Sequence, residues 1–195
     1  MEAATSQPPR PGRPLDERAT SAILQAALGQ LLERGYGGMS MDGVAAAAGV
    51  GKPAIYRRHR NKAELVASAI RSILPVIDLP DTGSTREDIR VLATQARPMT
   101  EGPFATLLGT VLAEQQREPD LLEAFRERIV RPRRELMKTI VERGIERGEV
   151  RPDLDLEQAA DALIGNVVGR HISGHPFDDE WFEAALEFFW RGIRA

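Results

Sequence analysis

Apolar side chains recur along this chain at intervals of three and four residues, and nowhere do they alternate strictly with polar ones. Between Leu15 and Arg34, the residues Ile23, Ala27, Leu31 and Leu32 fall at helical spacing, and Gly35 follows where a left-handed cap closes a helix. Ser40 is placed to cap a short second helix in "MDGVAAAAG", and the exit "GVG" leads into "KPAIYRRH". Asn61 and Glu64 have capping-box spacing at the head of a helix from Lys62 to about Ile77. After "DLPDTG", Ser84 and Glu87 repeat that spacing and open a helix to about Arg97. Further helices are predicted over 103–117, 120–147, 155–173 and 179–193. Pro132 lies inside the 120–147 pattern and is expected to kink or split it, since proline lacks an N–H and crowds the preceding turn. The fold class is all-α, with no internal repeat.

The first fourteen residues contain four prolines and almost no large apolar side chain, and are expected to form a disordered arm. The remaining length, with 42% hydrophobic and 28% charged residues overall, suffices for a buried core. No stretch approaches the roughly 18 consecutive apolar residues of a membrane span, and the N-terminus has no apolar core of the signal-peptide kind. A cytoplasmic protein without membrane partners is expected. Zero cysteines exclude disulfides and thiol nucleophiles.

Charge changes the picture, because the net −3 is unevenly spread. Residues 10–75 carry ten Lys and Arg against five Asp and Glu, whereas residues 76–195 carry sixteen against twenty-three. Polyanion binding therefore belongs to the first third. Its densest part is "AGVGKPAIYRRHRNKAEL", with Lys52, Arg57, Arg58, His59, Arg60 and Lys62 close together. "GVGKPA" matches a dinucleotide-binding fingerprint in letters, but helical "VAAAAG" precedes it where that fingerprint needs a strand. A phosphate-binding Walker loop fails at Ala46 and Pro53. Two short helices joined by a tight glycine turn, the second of them basic, describe a helix-turn-helix. On a helical wheel Ile55 and His59 lie about 40° apart and face inward, while Pro53, Arg57 and the flanking Tyr56 can meet a duplex.

Residues 15–66, above all "LLERGYGGMSMDGVAAAAGVGKPAIYRRHRNKAEL", resemble the DNA-binding domain of the tetracycline-repressor (TetR) family. The resemblance implies an all-helical, dimeric transcription regulator, mostly a repressor, that leaves DNA when a small molecule binds its C-terminal domain. It implies three parts: the arm 1–14, a helix-turn-helix domain over 15–61 and an effector-binding and dimerisation domain over 62–195. By the same resemblance Ser40 is a phosphate contact opening the second helix. Lys52, Pro53, Ala54, Tyr56 and Arg57 occupy the recognition helix, and Lys62 is a phosphate contact of the fourth helix. His59 stands where the family usually has Phe or Trp. The "RPGRP" segment resembles an AT-hook core, with Arg13 aimed at a narrow minor groove or forming part of a plain tail.

Beyond residue 66 the resemblance is one of layout. The predicted helix at 155–173 carries Leu163, Val167 and Ile172 among Gly165 and Gly169. The last carries Trp181, Ala185, Phe188 and Phe189. In the family these two helices form a four-helix bundle across a two-fold axis, which makes these nine residues the expected homodimer interface; covering the monomer core is the alternative. Phe104, Leu108, Phe125 and Met137 are the expected walls of an effector pocket. Few charges are expected at inward positions, which suggests an apolar or aromatic effector. No catalytic constellation, metal site or cofactor motif emerges. His171 and His175 have metal-ligand spacing, but Gly174 and Pro176 place them in a turn. The expected function is a sequence-specific regulator released from a near-palindromic operator on double-stranded DNA by a small molecule, with control by a protein partner as the alternative.

Overall fold

The computed structural model describes residues 13–100 and 102–195, with side chains from Glu17 onward. The expected arm 1–14 and the minor-groove role of Arg13 therefore lie outside the described residues, apart from the backbone of residues 13 and 14. The chain divides into two compact units, residues 1–69 and 70–195.

In the first unit, α1 (Arg13–Gly38) carries Ile23, Ala27 and Leu31 into the core. Leu32, expected on that same stripe, is 46% exposed, because it lies about 100° round the helix from Leu31. Gly35 interrupts α1 at φ 67°, a backbone state that glycine alone adopts without strain. The short helices α2 (Met41–Ala47) and α3 (Lys52–Tyr56) follow, then α4 (Lys62–Ser72). The end of α4 falls short of the expected Ile77. Pro75 disfavours helical backbone in the residue before it, and the last turn closes at Leu74. Asn61 Oδ1 accepts the Glu64 N–H at 2.8 Å, as the capping-box spacing implies, but the Glu64 carboxylate binds the Arg60 N–H and Nε instead of completing the box.

The second unit contains α5 (Thr85–Ala96), a 3₁₀ turn (Arg97–Thr100), α6 (Phe104–Glu114), α7 (Pro119–Phe125), α8 (Arg131–Glu146), α9 (Leu156–Ile172) and α10 (Asp179–Ile193). Ser84 stands at the N-cap of α5, yet its hydroxyl makes no capping bond, and Glu87 pairs with Arg90 rather than reaching back. The free N–H of Thr85 goes instead to Glu149 Oε2 at 2.7 Å. Pro132 acts as expected of a proline inside a helical run. A π-helical turn (Arg126–Val130), in which the Arg131 N–H reaches back to the Arg126 carbonyl, precedes it and separates α7 from α8, placing Pro132 in the first turn of α8. The core joins Ile89, Leu92, Met137, Ile140, Val141, Ala159, Ala160, Phe189 and Ile193. Among the described residues no helix is long and apolar enough to cross a membrane.

The Thr85 hydroxyl and N–H, with Arg147 beside them, hold the Glu149 carboxyl below the usual carboxylate range. Its folded pKa thus lies below the unfolded value of about 4.3. The resulting stability is complete above that value and is lost as pH falls through the lowered pKa. Glu149→Gln is expected to destabilise the protein at pH 7 and to matter less near pH 3. Urea denaturation of both proteins at the two pH values checks this; an equal gap at both would refute it.

Candidate nucleic-acid interface and apolar cavity

The first unit presents α3 as its most exposed basic element. Ser40 caps α2 by accepting the Gly43 N–H at 3.0 Å, and its hydroxyl keeps a proton to donate outward. Gly43 lets the Gln30 side chain come close to this turn, since a Cβ would lie 2.8 Å from Gln30 Nε2. The turn into α3 passes through Gly49 at φ 65°, as a tight helix-turn-helix requires. Pro53 sits in the first turn of α3, where its fixed φ suits the helix.

Ile55 is fully buried and His59 is buried at 6% exposure, so the inward face is the one the wheel implies. Lys52, Pro53, Tyr56 and Arg57 are exposed and Ala54 half-buried, which leaves one continuous outward face. Three contacts between elements escaped the sequence reading: Arg58 with Thr20, Lys52 with Asp42 and Lys62 with Tyr36. Arg58 donates from Nε to Thr20 Oγ1 at 2.9 Å and from Nη1 to the Ala54 carbonyl at 2.6 Å, bracing α3 against α1. Lys52 pairs with Asp42 at 2.6 Å, and this raises its pKa through the hydrogen bond and charge of that carboxylate. Lys62 Nζ lies 4.0 Å from the centre of the Tyr36 ring, a cation–π contact that fixes its ammonium at the head of α4.

The second unit contains an open-mouthed cavity of about 260 Å³. Phe104, Leu108, Phe125 and Met137 all line it, with Phe104 and Phe125 stacked at 6.4 Å. Leu163, Val167, Trp181 and Ala185 also turn towards this cavity, and Phe189 is buried in the core of its own chain. Of the nine residues expected at a dimer interface, Ile172 and Phe188 are the bare apolar ones, each 79% exposed, and Gly165 and Gly169 lie open on α9. The expectation of few inward charges is corrected: Arg97, Arg133 and Arg134 reach the cavity wall. Arg133 had a signal in the sequence. It continues the four-residue stripe Phe125, Ile129, Arg133, Met137, whose other members are buried. His171 and His175 are exposed on either side of the Gly174 turn, and among the described residues no cluster of His, Asp or Glu could hold a metal.

A capped short helix, a glycine turn and an exposed basic helix anchored by Ile55 define a helix-turn-helix DNA-binding module. Comparison with known proteins agrees at both ends of the chain. Residues 23–69 match the model of bacterial regulatory proteins of the tetR family, and residues 79–188 match the tetracyclin repressor-like C-terminal domain. The chain belongs to the TetR family of transcriptional regulators. It is 34% identical to the uncharacterized HTH-type transcriptional regulator YdeS of Bacillus subtilis (strain 168), over 94% of each chain. It is 30% identical to the DNA-binding transcriptional repressor TetR of Mycobacteroides abscessus, over 84% of this chain and 87% of that one. The solved structure of the Flavonoid-responsive Regulator FrrA superposes with a TM-score of 0.67 at 25% identity, covering 91% of this chain and 98% of that one.

Proposed function

We propose that this regulator is a homodimeric repressor that binds a near-palindromic operator and leaves it when a small molecule fills the cavity of the second unit. The exposed face of α3 carries the reading. Lys52, Pro53, Ala54, Tyr56 and Arg57 enter the major groove, and Ser40 and Lys62 hold phosphates on either side. Repression is supported by the named activity of the Mycobacteroides relative, and response to a small molecule by the name of FrrA. The bare Phe188 and Ile172 side chains on α10 and α9 support pairing of these helices with a second copy, since exposed large apolar groups gain by leaving water. The protein is not an enzyme in this reading, and it works in the cytoplasm where its operator lies.

Selection of binding sites from sheared genomic DNA at physiological salt tests the proposal. The expected product is a two-fold-symmetric site whose half-sites lie roughly one helical turn or more apart, and which is lost on mutating Tyr56 and Arg57. Its affinity should fall with salt at a log-log slope of about −0.9 per phosphate neutralised. Recovery of no preferred sequence would refute the operator reading.

A further inference from the structure

We propose that the cavity of the second unit takes a small organic acid, an apolar body bearing one carboxylate, and that Arg133 is the group that receives the anion. This rests on reading the cavity as the effector site and names the chemical class it selects.

The three arginines on the wall are not equivalent. Arg97 is paired with Asp179 at 2.6 Å and lies over the Phe182 ring, while Arg134 is held between Glu157 and Asp161. Arg133 has no carboxylate partner among the described residues. Its Nη atoms reach only two backbone carbonyls, Ile129 at 3.2 Å and Pro75 at 3.5 Å, and its Nε is buried with no acceptor at all. Burial, with the like charge of the Arg71 guanidinium adding to it, lowers Arg133 to about 10. At neutral pH the group therefore remains a cation, held in a largely apolar wall without a counter-charge among the described residues.

A half-buried cation without a counter-charge is costly, and an arriving anion relieves that cost as well as forming its own bonds. In a guanidinium, Nε–H and one Nη–H together form the side-on fork that a carboxylate accepts with both oxygens, and in Arg133 the Nε–H is left without an acceptor. The other walls, among them Leu108, Phe125, Met137 and Leu163, offer hydrophobic contact to the rest of the molecule. An uncharged ligand of the same shape would bury the same apolar area while leaving Arg133 unpaired.

The full-length protein is titrated by calorimetry with decanoate and 4-phenylbutanoate, and in parallel with the matching alcohols 1-decanol and 4-phenylbutanol. At least one acid is expected to bind ten-fold or more tighter than its alcohol. Arg133→Met should erase that preference, and alcohol binding that persists in the variant reports an intact cavity. Arg133→Lys keeps the charge without the planar fork and should show an intermediate preference. Acids and alcohols bound equally well would overturn the anion inference and leave the cavity reading standing. An acid preference that survives Arg133→Met would overturn the role of Arg133. Failure of all four probes to bind would overturn both readings.

Discussion

Arg57→Ala is expected to bring operator and random duplex closer together in affinity by a factor of about 5 to 150, the 1 to 3 kcal/mol of a lost two-bond contact to a guanine edge. Lys62→Ala should instead weaken both duplexes alike and reduce the salt slope by about 0.9. The difference follows from where the two cations are held. Arg57 caps the C-terminal end of α3 on the exposed face, two residues on from the buried anchor Ile55 and on the opposite side of the helix, and no carboxylate among the described residues holds it. Lys62 is fixed over the Tyr36 ring at the N-terminus of α4, where free N–H groups also favour a phosphate. Arg58, adjacent in sequence, is tied to Thr20 and Ala54 and should act on binding through the position of α3. Fluorescence anisotropy on operator and scrambled duplexes at two salt concentrations separates these roles. Equal losses on both duplexes for both variants would refute the division.

Gly144→Val should destabilise the second unit by about 3 kcal/mol or more, and Gly144→Ala by roughly 1 to 3, the usual cost of overpacking. A Cβ on Gly144 would lie 2.7 Å from Val150 Cγ2 and 2.8 Å from Thr85 Cγ2. Both neighbours are buried and β-branched, so neither can swing aside. The same glycine carbonyl accepts the N–H groups of Glu149 and Val150 at 2.9 and 3.2 Å, which turns the chain back against Ile193 at the C-terminus. The crowding must overcome a helix propensity that favours Ala over Gly by about 1 kcal/mol, and Gly109→Ala supplies the contrast. Gly109 lies exposed on α6 with nothing within 4 Å of its would-be Cβ, and its replacement should stabilise by about 0.5 to 1 kcal/mol. Denaturant midpoints of the three variants against the parent check this; a stabilised Gly144→Ala would show that the contact between α5 and α8 yields.

The two outcomes concern different halves of one device. Arg57 tests what the regulator reads, and Gly144 tests the rigidity of the unit that contains the Arg133 cavity. If Arg133 receives an acid, binding adds a counter-charge to the wall formed by the π-helical turn and α8. Ligand at about 100 times its dissociation constant would then stabilise the protein by roughly 2.7 kcal/mol.

The sequence by itself determined the all-α class and most of the recognition unit. Apolar spacing is a local property, and so are the capping residues Ser40 and Asn61 and the glycines at 35 and 49. Each acts within one turn of its own backbone. The predicted ranges 155–173 and 179–193 accordingly agree with α9 (Leu156–Ile172) and α10 (Asp179–Ile193). Only the tertiary structure decided what depends on partners far away in the chain. Ser84 and Glu87 have the spacing of a cap, but the Ser84 hydroxyl makes no capping bond, and the helix start is tied down by Glu149, 64 residues away, through the Thr85 N–H. Lys52 looks as available as Arg57 in sequence, and only folding sets it against Asp42. Arg133 shares its helical stripe with Phe125, Ile129 and Met137. A spacing rule assigns a face to all four alike, whereas the absence, among the described residues, of a carboxylate opposite the one charged member is a property of every element packed around it.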